Sequence, residues 1–234
     1  VLTTLGSNAL KIAVADVSGE EMPVEIVRWD TVGLLYVRVP ILNQGTNTLL
    51  YLYYDPDHAD NIAYVGFTTD AAAEDVWENK FLTAWNGVKN PEEERMYDST
   101  SNWKDSYLHN DYGGSYTVEL DSEGRRGIKF SGGGYADTLI SPAEINSADA
   151  FSIEATVKLH SLNPGIWNEK MWFGQNSPAS ARVYAAVYGM PPKWAFAIGN
   201  QPWSDNSSPA CTEDLTHIMW TVNKSTKIAK LYVN

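Results

Sequence analysis

Apolar and polar residues alternate with period two along much of the chain. In Phe151–Leu159 the side chains of Phe151, Ile153, Ala155, Val157 and Leu159 fall on one face, with Ser152, Glu154, Thr156 and Lys158 on the other. This is the pattern of a half-buried antiparallel strand. Shorter runs of the same kind occur at Met22–Trp29, Leu34–Val39, Thr48–Tyr54, Ser115–Leu120, Gly127–Phe130, Met171–Phe173, Val183–Tyr188, Trp194–Ile198, Ile218–Val222 and Lys227–Val233. Turn-forming residues separate them: Ser18-Gly19, Asn43-Gln44-Gly45, Asp55-Pro56, Gly132-Gly133-Gly134, Asn163-Pro164-Gly165 and Pro191-Pro192. The glycine triplet has no Lys-Ser/Thr after it and reads as a tight hairpin, not a phosphate loop. One helical turn is expected, with Asp70 capping Ala71–Glu74. Many short strands at short spacing predict an all-β chain built as a sandwich or jelly roll, since parallel βαβ units need crossovers of about a dozen residues or more. The helical turn marks the expected boundary between a small β-sandwich-like domain at 1–69 and a larger β domain at 76–234, with 70–75 as linker.

Composition narrows the function classes. The 234 residues carry 17 Lys+Arg against 29 Asp+Glu, a formal charge of −12, with the cations scattered. Such a surface repels phosphate backbones, so nucleic acid is not an expected partner. No run approaches the ~18 apolar residues of a membrane span, so no membrane insertion is expected. Cys211 is the one cysteine in the chain, which rules out an intrachain disulfide, a Cys-rich zinc site and a CxxC redox pair.

Catalytic constellations are sparse. A hydrolytic strand would place acidic residues two apart so that period two points them into one cleft. The nearest run, Glu74-Asp75-Val76-Trp77-Glu78, would put Glu74 and Asp75 on opposite faces of a strand. Glu92-Glu93-Glu94 reads as a solvated loop. His58, His109, His160 and His217 have neither a G-x-S-x-G partner nor HExxH spacing. The chain is expected not to be an enzyme.

Sugar binding would rest on loop aromatics, because the apolar face of a sugar packs on an exposed ring while nearby amides and carboxylates bond its hydroxyls. Of the nine Trp, Trp29, Trp77, Trp85, Trp172, Trp194 and Trp220 sit in alternating runs and are expected in the core. Trp103, Trp167 and Trp203 sit in loops, with Asn168, Asp205 and Asn206 beside the last two. These six residues are the candidate ligand-binding set.

Two stretches carry family resemblances. Residues 22–59, "MPVEIVRWD…LLYVRVPILNQGTNTLLYLYYDPDHA", resemble a small β domain of unknown function that often precedes a laminin-G-like module in surface proteins. "VWENKFLTAWN", "YDSTSNW", "IKFSGGGYADT", "FSIEATVKL" and "MWTVNKSTKIAKLYVN" resemble successive landmarks of the concanavalin A-like, laminin-G-like jelly roll. Relative to both families the ends look incomplete, which implies a piece of a longer polypeptide whose missing strands are expected to be supplied by another chain or segment or to lie unseen. The resemblance implies a non-catalytic extracellular module on a cell or virion surface that binds glycan or cell-surface polysaccharide. It equally admits a structural domain that decorates a filament, pilus, capsid or tail and contacts only neighbouring domains or subunits. Asp98-Ser99-Thr100-Ser101-Asn102 resembles an Asp-Ser-Thr/Ser-Gly-Asn loop of these jelly rolls whose hard oxygens suit Ca²⁺. Asp98, Asn102, Asp105 and Asp137 are therefore candidate calcium ligands, although Ser101 replaces the usual Gly. The alternative is that Asp98 and Asn102 cap their own turn.

Overall fold

Among the described residues strands predominate, and each helix is four to six residues long, in a computed structural model. It describes the chain apart from residues 1, 31, 43, 79, 87–93, 111–112, 121–125, 133, 161–172, 175–182, 189–192 and 199–209. The all-β reading therefore holds. By packing, the chain divides into Val1–Ile140 and Ser141–Asn234.

The first unit opens with α1 (Leu2–Leu5), β1 (Ile12–Ala15), β2 (Val24–Trp29), β3 (Gly33–Val37), β4 (Tyr51–Tyr54) and β5 (Val65–Phe67). β1 pairs antiparallel with β4. β2 is the centre of a second sheet, antiparallel to β3 and parallel to β5. Leu5, Ala9, Ile12, Val14, Val24, Ile26 and Val65 form the buried core between these elements, and Trp29, Leu35, Val37 and Phe67 pack against it. Each fully buried Val, Ile or Leu contributes about 1.5–3 kcal/mol, so this cluster holds the elements together. β1 and β5 are apolar on both faces and lack polar alternation, which is why period two does not reveal them. The turn after β1 follows its chemistry: the Asp16 carboxylate accepts from the Ser18 hydroxyl and from the Ser18 and Glu20 N–H groups, with Gly19 at φ 85°. These bonds, the Ser18 hydroxyl first, hold Asp16 below the ordinary carboxylate pKa.

The expected helical turn is α2 (Ala71–Val76), which packs on β2 and β5. Asp70 occupies the N-cap position, but its carboxylate reaches back to accept from the Phe67 N–H at 2.8 Å and makes no bond to the helix. A Cβ at Gly66 would stand 2.7 Å from the Asp70 Cβ and 3.2 Å from the Ala73 nitrogen, so glycine lets the helix close on β5. The Glu74–Glu78 run accordingly lies on a helix and its exit, not on a strand. Burial raises the Glu74 pKa, with Asp75 and Asp98 adding to it, while Glu78 pairs with Arg38 at 2.8 Å.

Beyond α2 the same unit contains β6 (Arg95–Met96), β7 (Ser106–His109), β8 (Ser115–Leu120), β9 (Arg126–Ser131) and β10 (Tyr135–Thr138). β8 and β9 form an antiparallel pair, and β7 lies between β6 and β10. The glycine-rich turn is not a hairpin between the strands it joins: β9 pairs with β8 and β10 with β7. Gly132 takes φ 60°, and a Cβ at Gly134 would fall 2.3 Å from the Ser115 carbonyl oxygen, so the turn passes the chain tightly from one sheet to another.

Segments on both sides of residues 70–75 share one buried polar centre. Glu25 on β2 is fully buried, and its carboxylate accepts from Thr68 Oγ1 (2.6 Å), Ser99 Oγ (2.7 Å), Trp77 Nε1 (2.6 Å) and Asn86 Nδ2 (2.8 Å). A buried carboxylate needs such donors to offset lost hydration.

The second unit contains α3 (Pro142–Ser147), β11 (Ala150–Val157), β12 (Phe173–Gly174), β13 (Val183–Tyr188), β14 (Lys193–Ile198), β15 (Thr216–Asn223) and β16 (Ile228–Val233). α3 has a capping box between Ser141 and Glu144 and Pro142 in its first turn. β15 lies between β11 and β16, and β13 between β12 and β14. The register Ile153↔Trp220↔Leu231 and Ala155↔Ile218↔Val233 places the alternating apolar residues on one face. There Ile218 and Trp220 join Trp194, Leu159 and Cys211 in a buried cluster.

Candidate functional site

Among the described candidate residues, the structure places Trp103 furthest from a packing role. The residue is 61% exposed and its backbone sits at φ 55°, the left-handed region that most side chains avoid. Neither burial nor backbone preference asks for tryptophan there. By contrast Trp194 and Trp220 are fully buried. Trp29, Trp77 and Trp85 are half-buried, and their indole N–H groups donate to Gly6 O, Glu25 and Lys104 O. Trp167, Asn168, Trp172, Trp203, Asp205 and Asn206 lie outside the described residues.

The loop bearing Trp103 is built on Asp98, which is itself buried. Asp98 Oδ1 accepts from the N–H groups of Ala84 (3.0 Å) and Thr100 (2.9 Å), and Oδ2 from Thr100 Oγ1 (2.8 Å) and the Lys104 N–H (2.8 Å). Four hydrogens thus take up the carboxylate. Asn102 Nδ2 donates to the carbonyls of Phe81 and Leu82. Asp105 Oδ1 accepts from the Asp98 N–H at 2.9 Å, and its Oδ2 lies 3.2 Å from Arg95 Nη1. The loop is an Asx-type turn closed by its own side chains. Asp98, Asn102 and Asp105 come together here, whereas Asp137 stands on β10 with Oδ1 3.1 Å from His109 Nε2. Among the described residues no group of three or more His, Cys, Asp or Glu is arranged to hold a metal. The Asp98 oxygens face hydrogen-bond donors and do not fit a Ca²⁺ ion without giving up those bonds.

Asp105 ties the loop to the sheet formed by β6, β7 and β10. The registers Arg95↔Tyr107↔Asp137 and His109↔Tyr135 put these five side chains on one face, while Ser106 and Leu108 point inward and are buried. The Arg95 guanidinium bonds the Tyr97 hydroxyl at 2.9 Å and lies 4.3 Å from the centre of that ring. The Tyr97 bond is the chief cause of a raised Arg95 pKa. His109 stacks on Tyr135 with centroids 4.7 Å apart. A shallow cleft of about 450 Å³ opens between Glu94, Arg95, Tyr97 and Tyr107. The face combines exposed phenol rings with a guanidinium and the Asp137 carboxylate, beside Glu94 in the cleft, which can stack on a sugar ring while donating to and accepting from its hydroxyls. Sequence reasoning missed it because Arg95, Tyr107, His109, Tyr135 and Asp137 come from three short strands that converge only through pairing.

In the second unit the outward face of β11, β15 and β16 carries a groove of about 440 Å³ lined by Ser152, Thr221, Asn223, Lys230 and Tyr232 among others. Beside it His217 Nε2 lies 2.8 Å from Glu154 Oε1. No helix of the described chain is long and apolar enough to cross a membrane. No family model, curated protein or solved structure matches the chain.

Proposed function

We propose that the chain is a non-catalytic carbohydrate-binding or adhesion module of a larger cell-surface or virion protein, acting outside the cell. The observation that carries the reading is Trp103, an indole displayed to solvent in a conformation that disfavours it. Such local cost at an exposed aromatic is the mark of a contact residue. The Arg95, Tyr107 and Asp137 face supplies polar and aromatic chemistry suited to a glycan. In the same reading residues 76–234 are most of a concanavalin A-like, laminin-G-like jelly roll, supported by the alternating register of β11, β15 and β16. The competing reading, a structural domain that contacts only protein, is favoured by the exposed apolar strand β4.

A glycan array probed with the full chain tests this proposal, once in millimolar Ca²⁺ and once in EDTA, with Trp103→Ala, Trp167→Ala, Trp203→Ala and Tyr107→Ala beside the parent. Specific binding that drops at least tenfold in Trp103→Ala is expected. Loss of binding in EDTA would place a metal in the site. A folded chain that binds no glycan in either buffer overturns the carbohydrate reading and leaves the structural one.

A further inference from the structure

Among the described residues β4 is an edge strand, paired with β1 on one side alone. Its neighbour β1 uses both sides: the Val14 carbonyl accepts from the Met22 N–H at 2.8 Å and the Ile12 carbonyl from Asn61 Nδ2 at 3.0 Å, both away from β4. On the β4 side Lys11 O accepts from the Asp55 N–H. In an antiparallel ladder the residues that bond across a pair alternate. Asp55, Tyr53 and Tyr51 therefore address β1, and Leu50, Leu52 and Tyr54 direct their N–H and C=O groups the other way. No strand among the described residues pairs with them.

The side chains are equally open. Tyr51, Leu52, Tyr53 and Tyr54 are 43%, 45%, 54% and 46% exposed. Tyr51 and Tyr53 stand opposite Ala15 and Ala13, which are too small to cover them, and their rings lie 6.3 Å apart. Exposed edges are normally blunted by charge, as β8, β9 and β16 are by Glu119, Lys129 and Lys230. Thr48–Tyr54 contains no charged residue.

We infer that β4 pairs with β4 of a second copy of this chain, antiparallel about a two-fold axis at Leu52, joining two β1–β4 ribbons into one four-stranded sheet. The strand is self-complementary in that register. Leu52 meets its own copy and Leu50 meets Tyr54, so every outward backbone group finds a partner. On one face each Tyr51 stands opposite the copy's Tyr53, an aromatic cross-strand pair. Asp55 of one copy lies opposite Leu49 of the other, so the acidic stretch Asp55–Asp60 falls at opposite ends of the sheet. Both open edges are consumed, and assembly stops at two. The occupant is a second copy and not a basic peptide because the outward-bonding segment Leu50–Tyr54 is neutral and the acidic stretch begins only beyond it, at Asp55. With −12 on each chain, added salt screens the repulsion and strengthens the pair.

Sedimentation velocity of the full chain over a concentration series, at low and high salt, tests this inference, with Leu52→Pro and Leu52→Lys as variants. Proline removes an N–H that β1 does not use and is tolerated on an open edge. The expected result is a concentration-dependent dimer, favoured by salt, with both variants monomeric. A nitroxide on Leu52→Cys in a Cys211→Ala background should report a label-to-label distance below ~20 Å, since directly opposed residues have Cα atoms about 5.5 Å apart. Should the proline variant fail to fold, the lysine variant and the label distance decide. A monomer at all concentrations, a dimer kept in Leu52→Lys, or longer oligomers would each overturn the inference, whatever the glycan array shows.

Discussion

The Ser99 hydroxyl donates to the buried carboxylate of Glu25 at 2.7 Å, across 74 residues of chain. With Thr68, Trp77 and Asn86 it completes four hydrogen bonds on one acid, all from uncharged donors. Removing one partner strands a buried polar group at about 1–3 kcal/mol. Ser99→Ala is expected to lower unfolding free energy by that amount. Glu25→Ala should cost more, because the Thr68, Ser99, Trp77 and Asn86 donors would all lose their acceptor. Urea unfolding checks both; unchanged midpoints would mean that the network does not hold the fold.

The same network predicts where the chain can be cut. Residues 1–69 contain Glu25 and Thr68 but lack Trp77, Asn86 and Ser99. A fragment ending at Thr69 is expected to melt without a cooperative transition, and one ending at Ile140, where the packing divides, to unfold cooperatively. Calorimetry of the two fragments decides; a cooperative short fragment would show that β1–β5 and their core suffice alone.

Strand alternation was legible at several strands with one face toward solvent: β11, β15 and β16 fall almost where Phe151–Leu159, Ile218–Val222 and Lys227–Val233 predict them, whereas Ser106–His109, which also alternates, is too short to stand out. It failed at Ile12–Ala15 and Val65–Phe67, which are apolar on both faces, and at Arg95–Met96, which is too short to show a period. The helix behind the Ser141–Glu144 capping box is equally hard to read, because six residues carry no helical stripe. At the site, Trp103 was readable as a loop aromatic, and the turn chemistry of Asp98 and Asn102 from residue type alone. The Arg95, Tyr107 and Asp137 row was not, since register is a property of pairing and not of local sequence.

Trp103 separates stability from function. A non-glycine residue in the left-handed region costs roughly 1–2 kcal/mol, against which glycine's greater freedom in the unfolded chain must be set. Trp103→Gly is therefore expected to leave the urea midpoint unchanged or raise it slightly, while abolishing glycan retention. A clear fall in stability would assign the ring a packing role and remove the main support for carbohydrate binding.

Cys211 offers a probe of the second unit. Packed with Trp194, Trp220, Ile218 and Leu159, its thiol is pushed by burial from 9.0 up to about 12. At pH 8 it should resist a thiol reagent until the protein unfolds, because the thiolate is the reactive form. The unfolded chain releases this proton from about pH 9 and the folded chain holds it to about 12. The thiol's contribution is therefore complete below pH 9 and declines as pH rises through that window. Lysines and tyrosines titrate in the same range, so the informative quantity is the difference between parent and Cys211→Ala, measured as unfolding free energy from pH 8 to 11. That difference should shift in favour of Cys211→Ala as pH rises. A difference constant with pH, or rapid thiol labelling of the native chain, would mean that Cys211 is not sealed in the β15 core.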